Sequence, residues 1–133
     1  MNDQEPPKEP LKGSLKEVLS EKKSPCQITF YVGDQPFEGS SLHFNERGIL
    51  VLCSQPPALN SKVRLVLQFP GFRNTVEMVG EVVWANVYGP SDSLSPRGMG
   101  VRFLNLDRDT ERLLGELAAQ YDSAGSIYSC YFT

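Results

Sequence analysis

Between Gln27 and Phe103 the apolar residues recur at every second position, in short runs closed by turn-forming clusters. Ile28, Phe30 and Val32 alternate with Gln27, Thr29 and Tyr31 ahead of Gly33-Asp34-Gln35-Pro36. Val63, Leu65, Leu67 and Phe69 alternate with Lys62, Arg64, Val66 and Gln68, and Pro70-Gly71-Phe72-Arg73-Asn74 follows. A period of two puts successive side chains on opposite faces of a strand, so each run reads as a half-buried β-strand. Further strands are read at Glu38–Phe44, Ile49–Cys53, Thr75–Tyr88 and Met99–Phe103. In Glu38–Phe44, simple alternation puts Ser40, Leu42 and Phe44 on one face and Ser41 and His43 on the other. Gly80, inside the long fifth run, marks a bend or bulge. Six short strands punctuated by turns predict an all-β domain, an antiparallel barrel or sandwich.

The flanks read differently. Asp107 can cap a helix running to about Tyr121, with Leu113, Leu114, Leu117, Ala118 and Tyr121 on one stripe that packs against the strands. Residues 1–24 form a flexible N-terminal segment, proline-rich at first, with a short amphipathic stripe of Leu11, Leu15, Val18 and Leu19. An isolated helix of that length is marginal in water, so a frayed tail and a docking helix both stand as readings. Residues 122–133 form a tail holding Ile127, Tyr128, Tyr131 and Phe132 beside Gly and Ser; an edge strand and an irregular tail both fit it. The resulting division is 1–24, 25–121 and 122–133.

Composition narrows the function. Lys and Arg balance Asp and Glu in residues 1–24 and again in 25–106, so the net charge of -3 comes from the C-terminal part. No cationic stripe is present to displace counterions, which argues against nucleic acid as a partner. No apolar run reaches the roughly 18 residues of a membrane span, and the polar N-terminus is unlike a secretory signal, so the chain reads as cytoplasmic. His43 is the only histidine, which removes His-based catalytic triads and paired-histidine metal sites. Cys26, Cys53 and Cys130 form no C-x-x-C pair and read as two small strand hydrophobes and one tail thiol. Glu77 and Glu81 share a strand face without a partner group for catalysis and read as solvated positions. Trp84 reads as a core or barrel-surface aromatic, and whether Arg47, Arg64, Arg97 and Arg102 gather on one surface is open. No catalytic residue, metal site or cofactor is called for, and the chain reads as a binding protein, not an enzyme.

His43-Phe44-Asn45-Glu46-Arg47-Gly48 joins two strands, with Asn and Gly at the first and fourth positions that a type I turn favours. This turn, the run Ile49–Cys53, Gly80-Glu81-Val82-Val83-Trp84 and Arg97-Gly98-Met99-Gly100-Val101-Arg102-Phe103 together resemble the PilZ domain over about residues 25–121. Among PilZ proteins the sequence is most similar to the branch abundant in social gliding bacteria. The resemblance implies a six-stranded barrel with a C-terminal helix, and in many members a receptor for cyclic di-GMP. It further implies two ligand motifs: paired arginines ahead of the first strand, and Asp or Asn, any residue, Ser, two residues, Gly at the turn after the second.

This sequence departs from both motifs. No arginine precedes Arg47, and the leading segment offers only Lys22 and Lys23. An ammonium attracts phosphate but lacks the planar fork that arginine lays on phosphate or guanine. His43 stands at the Asp/Asn position, Asn45 at the Ser position, and only Gly48 agrees. The reading is therefore a PilZ-like module acting on a protein partner in motility or cell-polarity control, with cyclic di-GMP disfavoured as a ligand. His43, Asn45, Arg47, Gly48, Lys22 and Lys23 are the candidate contacts. The alternative is a cyclic di-GMP receptor with an altered binding mode that uses Lys22 or Lys23, Arg47 and the turn.

Overall fold

In the computed structural model the alternating runs become six antiparallel strands that close on themselves. Residues 24–87 and 97–121, with Cys130 and Phe132, are described. The helix expected over Pro10–Lys22, the candidates Lys22 and Lys23, the loop Gly89–Pro96 and most of the tail lie outside the described residues. The elements are β1 (Cys26–Val32), β2 (Gln35–Phe44), β3 (Gly48–Leu52), β4 (Lys62–Gln68), β5 (Val76–Asn86), β6 (Gly98–Leu104) and α1 (Arg108–Tyr121). The order around the barrel is β1-β2-β3-β6-β5-β4, with β1 pairing to β4 to complete the ring. Closure leaves no unpaired strand edge in the ring.

The alternation sorts side chains as expected. Cys26, Ile28 and Phe30 of β1, Val63, Leu65 and Leu67 of β4, and Met99, Val101 and Phe103 of β6 fill the interior. Each fully buried side chain of this size stabilises the fold by about 1.5–3 kcal/mol. The exposed pairs Arg64–Glu77 and Arg102–Glu81 contribute about 0–1 kcal/mol each, so the interior holds the barrel together.

The helix closes one end. The Asp107 carboxylate accepts the Thr110 N–H at 2.6 Å, capping α1 as the sequence predicts. That bond from the Thr110 backbone is the main reason its pKa lies below the usual carboxylate value. Leu114 and Leu117 are buried against the strands, with Leu113, Ala118 and Tyr121 partly so. The Tyr121 ring meets Phe44 edge-on at 5.2 Å, and Phe44 lies 5.4 Å from Phe69, so aromatic packing seals the end. The Tyr121 hydroxyl donates to the Ser24 carbonyl at 3.0 Å and ties the helix to the entry of β1.

Two irregularities correct the simple alternation. In β2 the register shifts between Ser40 and His43. Ser41 consequently lies opposite Cys26 and is buried, Leu42 is exposed, and His43 pairs with Leu50. Ser40 and Leu42 therefore do not share a face with Phe44. In β5 the shift lies between Val82 and Trp84, not at Gly80. Gly80 is an interior position, where an added Cβ would run into the Val101 side chain and lie 3.0 Å from the Arg102 carbonyl. It leaves room for the core and does not bend the strand.

Candidate functional site

The turn between β2 and β3 is built from its own polar groups. Asn45 Oδ1 accepts the N–H of Arg47 at 2.7 Å and that of Gly48 at 3.2 Å. A type I turn would send the Gly48 amide to the Asn45 carbonyl; here the side chain takes it, as Asn does in Asx turns. The Asn45 amide in turn donates to the Gly48 carbonyl at 3.0 Å. Strand β6 grips the turn from the side, with the Phe103 N–H donating to the Arg47 carbonyl at 2.9 Å. Ser41 Oγ, at the bulge, accepts the His43 N–H and donates to the His43 carbonyl, both at 3.1 Å.

The outer wall beside the turn is a row of four residues. His43 on β2 pairs with Leu50 on β3, Leu50 with Gly100 on β6, and Gly100 with Trp84 on β5. Because the partners of Ile49 and Val51 face inward, this row faces outward. Both bulges are needed for it: each extra residue turns the side chain beyond it to the outer face. Gly48 pairs with Arg102 in the neighbouring row, and Arg102 with Glu81. Arg102 Nη2 lies 3.2 Å from Glu81 Oε1.

The candidates thus separate. His43, Asn45, Arg47 and Gly48 sit together at one edge of the outer wall. Arg47 and Arg102 line a shallow hollow of about 350 Å³ that also includes Glu46 and Glu111. Arg64 lies elsewhere, stacked 4.0 Å over the Tyr31 ring and 3.9 Å from Glu77. Each of Glu77 and Glu81 thus faces an arginine, so the two do not act as a pair. Among the described residues no group of His, Cys, Asp and Glu side chains is placed to hold a metal ion. No described helix is long and apolar enough to cross a membrane.

Gly48 has a packing role that the sequence does not reveal. A Cβ there would stand 2.5 Å from the Val101 carbonyl oxygen and 2.8 Å from both Cβ and Cδ1 of Phe132. The sequence reading also missed Leu50 and Phe132. Leu50 points out of the barrel yet is 1 % exposed, and Phe132 is likewise 1 % exposed. One signal was available for Leu50. The run Ile49-Leu50-Val51-Leu52-Cys53 is apolar without alternation, which in a strand indicates cover on both faces.

The thiols sort by burial. Burial pushes Cys26 up to about 12 and Cys53 up to about 11, which leaves them inert protonated hydrophobes. Cys130 is exposed.

The PilZ domain model matches residues 22–120. Among solved structures the chain is similar to the Bacillus subtilis inhibitor of motility, MotI/DgrA, with a TM-score of 0.58 and 14% identity. That likeness covers 74% of this chain and 47% of the other, so this chain spans about half the length of that protein. No curated protein matches it in sequence. The family match takes in all six strands and nearly all of α1, and it makes the chain a member of the PilZ domain family.

Proposed function

We propose that this PilZ domain is a cytoplasmic regulatory module that acts by contacting a protein, with cyclic di-GMP binding lost or very weak. The observation that carries the reading is the absence of any arginine before Arg47, where the family motif needs two. The groups at the turn support it. Asn45 stands where the motif has serine and directs its side-chain oxygen to the backbone of its own turn. The nearby hollow sets Glu46 and Glu111 beside Arg47 and Arg102, an environment that repels a doubly anionic dinucleotide as much as it attracts one. His43 and Arg47 are then the contacts offered to a protein. The fold shared with a motility inhibitor supports a role in motility control, and a role in cell polarity belongs to the same proposal.

Calorimetric titration with cyclic di-GMP tests this directly. No saturable heat is the expected result. A clean isotherm in the low micromolar range, about -8 kcal/mol, would overturn the reading in favour of a receptor using Lys22, Lys23 and Arg47 in an altered mode. In a pull-down from cells, His43→Ala and Arg47→Ala should weaken capture of the partner. Unchanged capture would move the contact surface away from the turn.

A further inference from the structure

Phe132 is among the largest fully buried side chains of the molecule, yet it is not part of the barrel core. It lies on the outer wall, close enough to Gly48 that an added Cβ would overlap both its Cβ and Cδ1. The next residue on that face of β3 is Leu50, about 7 Å along the strand, within reach of a ring centred over Gly48. Leu50 points outward and is nonetheless 1 % exposed. An aromatic ring from residue 132 thus sits over a glycine on the outer wall, and the next outward residue along the strand is a covered leucine; together they form an apolar seat. His43, half-buried, borders it through its pairing with Leu50. Cys130, two residues from the ring, is exposed.

We propose that Phe132 is an internal competitor for this outer face, a C-terminal latch that holds closed a seat for an aromatic side chain. The partner that fits is a protein segment presenting an aromatic residue, which enters Gly48–Leu50 as Phe132 leaves. The choice of partner class rests on the proposed function above; the latch itself rests only on the packing of Phe132. The seat is apolar and suits a ring, whereas a cyclic dinucleotide needs cations for its phosphates.

The test uses the full chain and a probe made from its own sequence. A fluorescently tagged peptide spanning residues 126–133 is titrated into wild type and into Phe132→Ala, followed by anisotropy. Phe132→Ala is expected to bind it saturably and at least tenfold more tightly than wild type, whose seat is already filled in cis. The same peptide carrying Phe132→Ala should not bind either protein. Equal binding to the two proteins, or no saturable binding to Phe132→Ala, overturns the latch. Circular dichroism should find Phe132→Ala folded, because the core cluster does without Phe132. An unfolded variant also overturns the proposal, since it would make Phe132 a structural residue. Neither result depends on the unidentified partner, so failure of the latch leaves the cyclic di-GMP titration to judge the function independently.

Discussion

Replacing Gly48 with alanine separates two explanations for the one residue that agrees with the ligand motif. If the glycine serves only to let a ligand approach, the variant should fold as well as wild type. The structure predicts otherwise. The new Cβ would stand 2.5 Å from the Val101 carbonyl oxygen, about 0.9 Å inside the 3.4 Å at which ordinary contact begins. That oxygen belongs to a strand already paired with β5 on its other side, so it has little freedom to retreat. Overpacking typically costs about 1–3 kcal/mol. With backbone on one side and a buried ring on the other, the upper part of that range applies, about 2–3 kcal/mol. For a domain of this size the melting temperature should fall by roughly 6–15 °C. Urea unfolding followed by far-ultraviolet circular dichroism measures it. In a Phe132→Ala background the cost should drop but stay above about 1 kcal/mol, because the carbonyl clash persists. A Gly48→Ala variant within about 0.5 kcal/mol of wild type would refute the packing account.

Four further outcomes follow from the same geometry. Gly80→Ala places a methyl in the core against Val101 and should destabilise by about 1–3 kcal/mol in the same unfolding assay. Tyr121→Phe loses the bond to the Ser24 carbonyl and should cost about 0.5–1 kcal/mol, with the aromatic packing intact. Stability should fall as pH rises above 9.0, the ordinary thiol value, because the unfolded chain releases protons that Cys26 and Cys53 keep until about 12 and about 11. Each thiol contributes up to about 1.4 kcal/mol per pH unit in that window, and Cys26→Ala should flatten the alkaline slope measured by chemical denaturation. With a maleimide under native conditions Cys130 should react first and Cys26 only on unfolding, as mass spectrometry of timed aliquots would read.

The strands and the helix cap were legible because they depend on local pattern. Ile28-Thr29-Phe30 and Val63-Arg64-Leu65 alternate cleanly, and Asp107 stands one residue before the helix it caps. The bulges were not legible, since an extra residue in one strand is defined only against its partner: Ser41 and Leu42 look ordinary until Val51 is set opposite them. Gly80 stands out in the sequence but its cause does not, because a glycine that spares a clash and a glycine that permits a bend look the same in one dimension. Phe132 was indistinguishable from its aromatic neighbours in the tail. Its burial is a contact across more than eighty residues of sequence, which no local pattern records.

The bulge at Val83 separates two kinds of change that the barrel can undergo. A substitution at an exposed outward position such as Leu42 alters one chemical group and leaves the strand pairing intact. Removing Val83 would instead shift the pairing by one and exchange inside for outside, sending Trp84 toward a close-packed interior. The exposed positions of the outer wall can therefore drift, whereas Gly48 and Leu50 are held by packing and the length of β5 is fixed to the residue. A barrel of this kind can change what it recognises by point substitution alone, and loses its fold before it loses that freedom.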